Sequence, residues 1–392
     1  MGSDAKGPLP AAQRTRPRQP RPAAPHRHAP PRPEGRAAGR RGQLLRPHGA
    51  FSQGRRPRQS QGLPHHLPRH RRRGKRQTGR LPEIRHGCPP RKRVAHRVRA
   101  VNLLIAGAGG LLGRELVRQS LARGDRVAAL VLRKGELRVI EHPRLRIIEA
   151  DVTKPDQLAG VCKGIEQVIS CIGITRLRGR LTHEIVDYQG NVNLLDEARR
   201  SGVAKFGFIS PAGTEMGCGH APLVDAKFRF EQILQACGIP WVIFRSGGFF
   251  PDIAEMLKYA AKGPLYVLGN GGSLSTPVHV PDLAAVMLEE MGRRTDAVIG
   301  VGGPEDLSWR DICGACFAAL GKPPRILRAP VWLCRLALAL IRPFSYRHWA
   351  MGRLLLFVST RDVCTPRRGT VRLRDYLARG IPPPAVSAAP MA

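Results

Sequence analysis

A short apolar run that ends in closely spaced glycines constrains this chain more than any other stretch. The run VNLLIA is followed by four glycines and then by an amphipathic segment; the glycines are Gly107, Gly109, Gly110 and Gly113. A strand that turns at once into a helix needs residues that tolerate a positive φ and let a ligand approach the backbone. The first turn of that helix presents unpaired N–H groups, which bind phosphate oxygens. The motif predicts a dinucleotide site that includes Leu111 and Leu112 at the helix start.

From residue 101 onward, apolar runs typical of strands alternate with amphipathic runs typical of helices. The predicted strands, in chain order, are VNLLIAG, RVAALVL, LRIIEADV, EQVISCIG, KFGFIS, PWVIFRSG and DAVIGVGG. Such alternation predicts a doubly wound, Rossmann-type α/β fold with helices on both faces of a parallel sheet. We expect the strand order 3-2-1-4-5-6-7. A nucleotide-binding domain should span residues 101–250, and a smaller cap, residues 251–382, should include the last strand.

The first hundred residues have a different composition. They hold 27 Lys and Arg against 3 Asp and Glu, and 16 of the 35 prolines. A segment like this buries too little apolar surface to offset its chain entropy. We expect residues 1–98 to be a disordered Arg/Pro-rich segment, or an upstream stretch translated from a misassigned start, with the true start near Val101. Its charge favours nonspecific contact with polyanions, but Phe51 is its one aromatic residue, so we predict no specific nucleic-acid partner.

The ends of the second and third strands bear on which dinucleotide is bound. The second strand runs into VLRKGE, so Arg133 stands where NAD sites usually carry an acid for the ribose hydroxyls. A guanidinium suits a 2′-phosphate, which predicts NADP(H) in preference to NAD(H); a solvated basic loop is the alternative. Asp151, after the third strand, is expected to meet the adenine amino group.

These motifs resemble the short-chain dehydrogenase/reductase superfamily, most of all its atypical NmrA-like and isoflavone-reductase-like branches. Over residues 101–305 the resemblance is carried by GAGGLLG, ADVTKPDQL, VISCIG, VDYQGNVNLLDEARRSG, FISPAG, DAKFRFEQILQACGIPWVIFRSGGFF and STPVHVPDLA. It implies an NAD(P)H-binding fold. It also implies that Val152, Cys171, Ile172 and Gly173 join the glycine loop around the cofactor.

The resemblance also assigns candidate catalytic residues. Full members of the superfamily use a Ser or Thr, a Tyr, and a Lys four residues after the Tyr. Ser210 and Lys227 match the first and the last of these, but Leu223 replaces the tyrosine and cannot donate a proton. Isoflavone-reductase-like members use a lone lysine on this helix, so Lys227 is expected to bind the ribose or to act on the substrate. The alternative is a surface ion pair with Glu231. His220 is a candidate substitute donor.

Two apolar segments stand out near the C-terminus. VWLCRLALALI (residues 331–341) and LLLFV (residues 354–358) are both shorter than the roughly 18–20 residues that span a bilayer. We expect a helix buried in the cap or in a dimer contact. The alternatives are a peripheral membrane contact through residues 331–358 and a lid over an apolar substrate.

The cysteines bear on compartment and on metal binding. Nine cysteines without disulfide-like spacing, and no secretion signal, predict a reducing compartment, and we expect the cytoplasm. Cys313 and Cys316 form a single CxxC inside a helical pattern. Without a second such pair, they predict no metal site.

The sequence therefore predicts an NAD(P)H-dependent reductase that acts on an apolar or conjugated small molecule. The missing tyrosine leaves two alternatives open. One is a non-catalytic NADPH-binding sensor or regulator, and the other is a membrane-associated assembly protein.

Overall fold

The computed structural model describes residues 2, 100–137, 140–174, 177 and 179–380. The predicted basic segment, residues 1–98, lies outside the described residues apart from Gly2.

A seven-stranded parallel sheet forms the centre of the described chain. Its strand order is β3-β2-β1-β4-β5-β6-β9, which confirms the predicted order, with β9 as the seventh strand of the sheet. The strands are β1 Asn102–Ala106, β2 Arg126–Val131, β3 Leu145–Glu149, β4 Gln167–Ser170, β5 Lys205–Pro211, β6 Trp241–Ser246, β7 Leu265–Leu268, β8 Leu274–Ser275, β9 Ala297–Val301, β10 Leu307–Ser308 and β11 Ile326–Ala329.

Helices cover the sheet on both sides and build the region after β6. They are α1 Leu111–Ala122, α2 Pro155–Leu158, α3 Gly190–Arg200, α4 Pro222–Gln235, α5 Phe250–Ala254, α6 Met256–Lys262, α7 Val280–Arg293, α8 Trp309–Ala319, α9 Val331–Ile341, α10 Tyr346–Thr360 and α11 Leu373–Ala378. A π-helical segment, Glu184–Gln189, runs directly into α3. Short 3₁₀ turns follow β2 and β5.

The core consists of one apolar cluster on each face of the sheet. On one face, α1 and α7 pack against the strands through residues such as Leu116 and Met287. On the other face, α2, α3 and α4 do so through residues such as Leu195 and Phe230. Because both faces are covered, the strands read in the sequence as continuous apolar runs. This confirms the predicted three-layer α/β architecture.

A third apolar cluster joins α5, α6, α8 and α11 in the region after β6. There β7 and β11 form a small parallel pair outside the main sheet. Cys313 and Cys316 are both buried in α8 and unpaired. Burial raises the pKa of the Cys313 thiol to about 11 and that of Cys316 to about 12.

Helix α9 departs from the expectation of a buried cap helix. None of its residues is buried, although its sequence VWLCRLALALI is almost wholly apolar. The prediction of burial within the cap is wrong because α9 packs against α10 along one side only and leaves its other sides to solvent. Among the described helices, none is both long and apolar enough to cross a bilayer.

Candidate cofactor site

The turn from β1 into α1 is built from backbone alone. Gly107 has φ +74°, and a side chain there would meet the Cys171 carbonyl oxygen 2.9 Å away. The N–H groups of Gly107 and Ala108 donate to the Leu130 carbonyl at 3.1 Å each, which holds the turn against β2. Gly110 is the N-cap of α1 and supplies no side-chain cap. The first turn of the helix therefore presents its N–H groups to whatever occupies the loop.

At two further glycines of the loop a neighbouring group lies so close that it leaves no room for a side chain, and the neighbour differs between the two. A Cβ on Gly113 would overlap the Gly107 carbonyl, because α1 packs tightly against the turn. A Cβ on Gly109 would overlap the Glu136 carboxylate, which lies over the loop. In the first turn of α1, Leu111 points outward and Leu112 is buried in the core. Leu112 therefore anchors the loop, and only Leu111 is open to a ligand.

Charged side chains surround the Glu136 carboxylate beside the loop. Burial raises the pKa of Glu136, the charges of Arg114 and Arg133 oppose that rise, and the charge of Glu149 adds to it. The Arg114 Nε is buried and has no hydrogen-bond partner among the residues that the structure describes. A carboxyl group therefore lies over Gly109, within the electrostatic influence of two guanidinium groups. A cradle of this kind fits the phosphates of a dinucleotide.

The turn after β3 is closed by its own hydrogen bonds. The Asp151 Oδ1 accepts from the Thr153 N–H at 3.0 Å and from its hydroxyl at 2.7 Å. The Val152 carbonyl accepts from Asn193 Nδ2 at 2.9 Å, and its side chain packs on Gly190. Asp151 and Val152 thus shape this edge of the site.

Residues 171–173, after β4, connect the glycine loop to the predicted lysine. Gly107 approaches the Cys171 carbonyl, and the next carbonyl, that of Ile172, accepts from Lys227. A side chain at Gly173 would meet both Lys227 Nζ, 3.2 Å away, and the Asp187 carboxylate at 2.7 Å. Burial raises the pKa of the Cys171 thiol to about 12, against the opposing charge of Lys227. This thiol therefore stays protonated.

Lys227 lies inside the protein, with 7 % of its surface exposed. Its Nζ donates to the Ile172 carbonyl at 3.0 Å and to the Ile209 carbonyl at 3.3 Å, so it bridges the ends of β4 and β5. It lies 3.5 Å from Asp187 Oδ1 and 4.7 Å from the centre of the Phe208 ring. An ammonium has three donors; two of them form these hydrogen bonds to carbonyls, and Asp187 Oδ1 lies within ion-pair distance.

Asp187 and His183 complete a buried charged cluster that the sequence analysis did not identify. Asp187 is fully buried, and its Oδ2 lies 3.0 Å from Nδ1 of the buried His183. Its Oδ1 has no hydrogen-bond partner in the described chain. Asp187 belongs to the π-helical stretch and His183 is its N-cap, and Asn191 of α3 donates to the Asp187 carbonyl at 2.7 Å. The sequence does contain a signal for this cluster. Asp187 falls on the same helix face as Asn191 and Leu194, and an acid on a buried helix face needs a buried partner.

The other two candidate catalytic residues lie on either side of the 3₁₀ turn after β5. Ser210 is buried, and its hydroxyl lies 3.1 Å from that of Thr214. The His220 ring stacks on Phe357 of α10, with centres 5.2 Å apart, and its Nε2 lies 3.2 Å from the Met216 carbonyl. His220 therefore contacts both the 3₁₀ turn and helix α10.

Glu231 does not form the surface pair with Lys227 that the sequence left as an alternative. It is fully buried and lies 2.6 Å from Arg245 of β6. The difference arises because α4 turns both residues 227 and 231 inward, where each meets its own partner. Leu223 stands half-buried in the first turn of α4, where the superfamily has its tyrosine. No group of three or more potential metal ligands occurs in the described part of the chain.

Comparison with known proteins agrees with this geometry. Residues 107–293 match the model of a family described as NAD(P)H-binding. The NADPH complex of an Escherichia coli NADPH-dependent quinone oxidoreductase superposes with a TM-score of 0.56 at 13% identity, and the match covers 71% of this chain and 99% of that one. At this identity the likeness concerns the fold. The predicted NAD(P)-binding fold and the resemblance to the short-chain dehydrogenase/reductase superfamily are confirmed.

Two relatives share sequence over most of the described chain. The photosystem II assembly factor Ycf39 of Trieres chinensis is 25% identical over 255 residues, which cover 64% of this chain and 78% of the relative. The chloroplastic divinyl chlorophyllide a 8-vinyl-reductase of Arabidopsis thaliana is 26% identical over 259 residues, which cover 59% and 60%. The predicted cytoplasmic location is wrong, since these relatives are a chloroplastic enzyme and a photosystem II assembly factor. The cysteine pattern indicated a reducing compartment and had no means to distinguish one from another.

Proposed function

We propose that this NAD(P)H-binding chain reduces an apolar or conjugated small molecule. One observation carries the proposal. The glycine loop and the buried ammonium of Lys227 lie at the same carboxyl edge of the sheet and are joined through residues 171–173. In doubly wound folds, ligands bind at this edge, where the strand order reverses. The order reverses here between β1 and β4.

Each part of the site has a role in this proposal. The loop amides and Arg114 bind the diphosphate, and the carboxyl ends of β4 and β5 support the nicotinamide half. The cofactor, when bound, supplies a hydride. Lys227 exchanges one of its two carbonyl partners for a ribose or substrate oxygen, and the nearby Asp187 carboxylate offsets the positive charge of the amine. A charged donor held in place stabilises an oxygen that gains negative charge. Ser210 and His220 remain second-rank candidates for proton transfer.

We further propose that NADP(H) is preferred over NAD(H). The 2′-phosphate would lie beside Arg133, whose charge, like that of Arg114, already acts on the Glu136 carboxyl group. Charge complementarity supports this, since two guanidinium groups already act on that position. The Asp151 carboxylate already accepts a hydrogen bond from the Thr153 N–H within its own turn. Asp151 would therefore lie next to the adenine without forming a strong hydrogen bond to it.

A second candidate function is an assembly factor in which the bound nucleotide controls contact with a protein partner. The resemblance to a photosystem II assembly factor supports it. So do the two hydrogen bonds from Lys227 to backbone carbonyls and its ion pair with Asp187, which suit a structural role for that amine. In either case we propose a plastid location, at or near photosynthetic membranes, by analogy with the relatives.

A turnover assay separates the two candidates. The purified full chain is incubated with NADPH and with enones, quinones or a divinyl chlorophyllide, and NADPH oxidation is followed at its absorbance band. Substrate-dependent oxidation that Lys227→Ala lowers more than it lowers NADPH affinity supports the reductase. Tight NADPH binding without oxidation in any mixture contradicts it and favours the assembly factor.

A further inference from the structure

The outer surface of the helical hairpin formed by α9 and α10 is apolar. We call residues 331–360 the hairpin. Phe344, in the turn between the helices, is 88% exposed, and Trp332 and Leu340 are 67% and 64% exposed. The other exposed large apolar side chains of the hairpin are Leu333, Leu336, Ile341, Tyr346 and Leu355. A monomer seldom leaves so many large apolar groups together in water without a partner for them.

The hairpin is a packed unit and not a loose appendage. Its two helices are in close contact, and a side chain at Gly352 would overlap Leu338. The inner side of α10 is anchored in the protein through buried residues such as Phe357, which stacks on His220. Arg353 Nη2 donates to the Gly219 carbonyl at 2.8 Å. The exposed apolar face is therefore held in place by the domain beneath it.

The charge of this region has a single sign. From residue 312 to residue 361 there is no Asp or Glu, whereas eight residues are Lys or Arg. Of these, Arg335, Arg342 and Arg347 lie exposed on the hairpin itself. Apolar groups with only basic charges among them match a bilayer that has anionic headgroups. A water-soluble acidic protein would satisfy the charges but would leave the tryptophan and phenylalanine without an apolar partner.

We propose that the hairpin docks on the surface of an anionic lipid bilayer. Helix α9 has 11 residues, and so measures about 16 Å, about half the thickness of the hydrocarbon core. It therefore lies in the interface and does not cross it. Trp332, Leu340 and Phe344 enter the acyl boundary, and the neighbouring arginines contact lipid phosphates. Docking does not depend on the cofactor.

Vesicle flotation of the purified full chain tests the proposal. We expect it to float with vesicles of phosphatidylcholine and phosphatidylglycerol and to stay behind with phosphatidylcholine alone. Trp332→Ser combined with Phe344→Ser should lower the bound fraction about tenfold, and Arg335→Gln combined with Arg342→Gln should lower it comparably.

Two matched controls carry the same kinds of substitution away from the hairpin and should float like the parent. One is Tyr259→Ser, which removes an exposed aromatic side chain of α6. The other is Arg123→Gln combined with Arg199→Gln, which removes two exposed charges elsewhere on the domain.

Three outcomes would overturn docking on lipid. The first is that the parent chain fails to float with either vesicle type. The second is that the Trp332→Ser/Phe344→Ser variant floats as well as the parent. The third is that the control variants lose as much binding as the hairpin variants. The main alternative occupant of the face is a second copy of this chain, and sedimentation equilibrium of the same proteins tests it. If the parent is a dimer that does not float, and the Trp332→Ser/Phe344→Ser variant is a monomer, the face is a self-association surface instead. NADPH affinity, measured alongside, should be unchanged in every variant, so failure here is distinct from failure of the proposed reductase.

Discussion

The two halves of the candidate site are built in opposite ways. The glycine loop, residues 107–113, uses backbone and the absence of side chains, and its close contacts are with two backbone carbonyls and a single carboxylate. The lysine half is a cluster of buried charged and polar side chains. Lys227, Asp187 and His183 lie together next to Gly173. The loop is therefore sensitive to any added atom. The lysine half is sensitive to any lost charge, because an unpaired ion in the interior is costly.

Loss of charge in the lysine half should have the largest effect. Lys227→Met keeps the length of the side chain but leaves Asp187 buried without its cation. We expect a loss of about 3–5 kcal/mol in the free energy of unfolding, measured by urea denaturation. The matched control is Lys205→Met, since Lys205 also donates to two backbone carbonyls, at 2.9 Å each, but at the surface. It should lose only about 1 kcal/mol.

The same experiment has a direct test of cause. Adding Asp187→Asn to Lys227→Met removes the uncompensated carboxylate and should recover a large part of the lost stability. If the double variant is no more stable than Lys227→Met alone, the ion pair is not what stabilises this half of the site.

Added atoms in the glycine loop should separate stability from binding. Gly113→Ala pushes a methyl group into the Gly107 carbonyl, so we expect a cost of about 1–3 kcal/mol in stability. Gly109→Ala meets the side chain of Glu136, whose carboxyl group can rotate away while its Cβ, 2.9 Å from the added carbon, needs only a small shift, so we expect a smaller stability loss than in Gly113→Ala. Both variants should lose dinucleotide affinity. An equal stability loss in the two would contradict the distinction between backbone and side-chain neighbours.

A third prediction concerns Arg133 and the ratio of NADPH affinity to NADH affinity. We expect NADPH to bind at least about tenfold tighter than NADH, and Arg133→Ala to bring the two affinities close together. Arg126→Ala, at the opposite end of β2, is the matched control and should leave the ratio unchanged. Equal affinities of the parent chain for the two dinucleotides would refute the role given to Arg133.

The smallest effect should come from Glu136. Because burial raises its pKa above the ordinary value of 4.5, stability falls as the pH rises from about 4.5 to that raised pKa, and the loss is complete above it. Glu136→Gln should therefore raise stability at pH 7, by about 0.5 kcal/mol or less after solvent screening, and should have no effect below about pH 4. Thermal melts at the two pH values measure this. A gain of equal size at both would show that charge is not the cause.

The sequence predicted the strand, turn and helix of the loop half because their signal is local, while the assignment of the loop residues to a cofactor stays a prediction. Glycine spacing, the apolar run before it and the helix after it lie within residues 101–122, and the geometry follows from them. The sheet order followed for a related reason, since short right-handed crossovers leave few topologies. The catalytic assignments of Ser210, His220 and Lys227 remain predictions.

The lysine half could not be predicted to the same depth because its partners come together through tertiary packing. Both acidic and basic partners, Asp187 and His183, lie forty or more residues before Lys227. Asp187 is in a π-helical segment whose sequence resembles an ordinary amphipathic helix, and His183 is the N-cap of that segment. Glu231 was considered as a partner of Lys227 because they are one turn apart, whereas Arg245 of β6 reaches it from the sheet. The exposure of α9 was likewise misjudged, since apolar composition favours burial but does not identify what covers the helix.

The most direct test of the central claim is isothermal titration calorimetry of the full chain with NADPH and NADH, with Gly109→Ala as the comparison. The claim predicts saturable binding of about one nucleotide per chain, tighter for NADPH, and greatly weakened by the added methyl group. Absence of binding by the parent chain, or equal affinity in the Gly109→Ala variant, would contradict it.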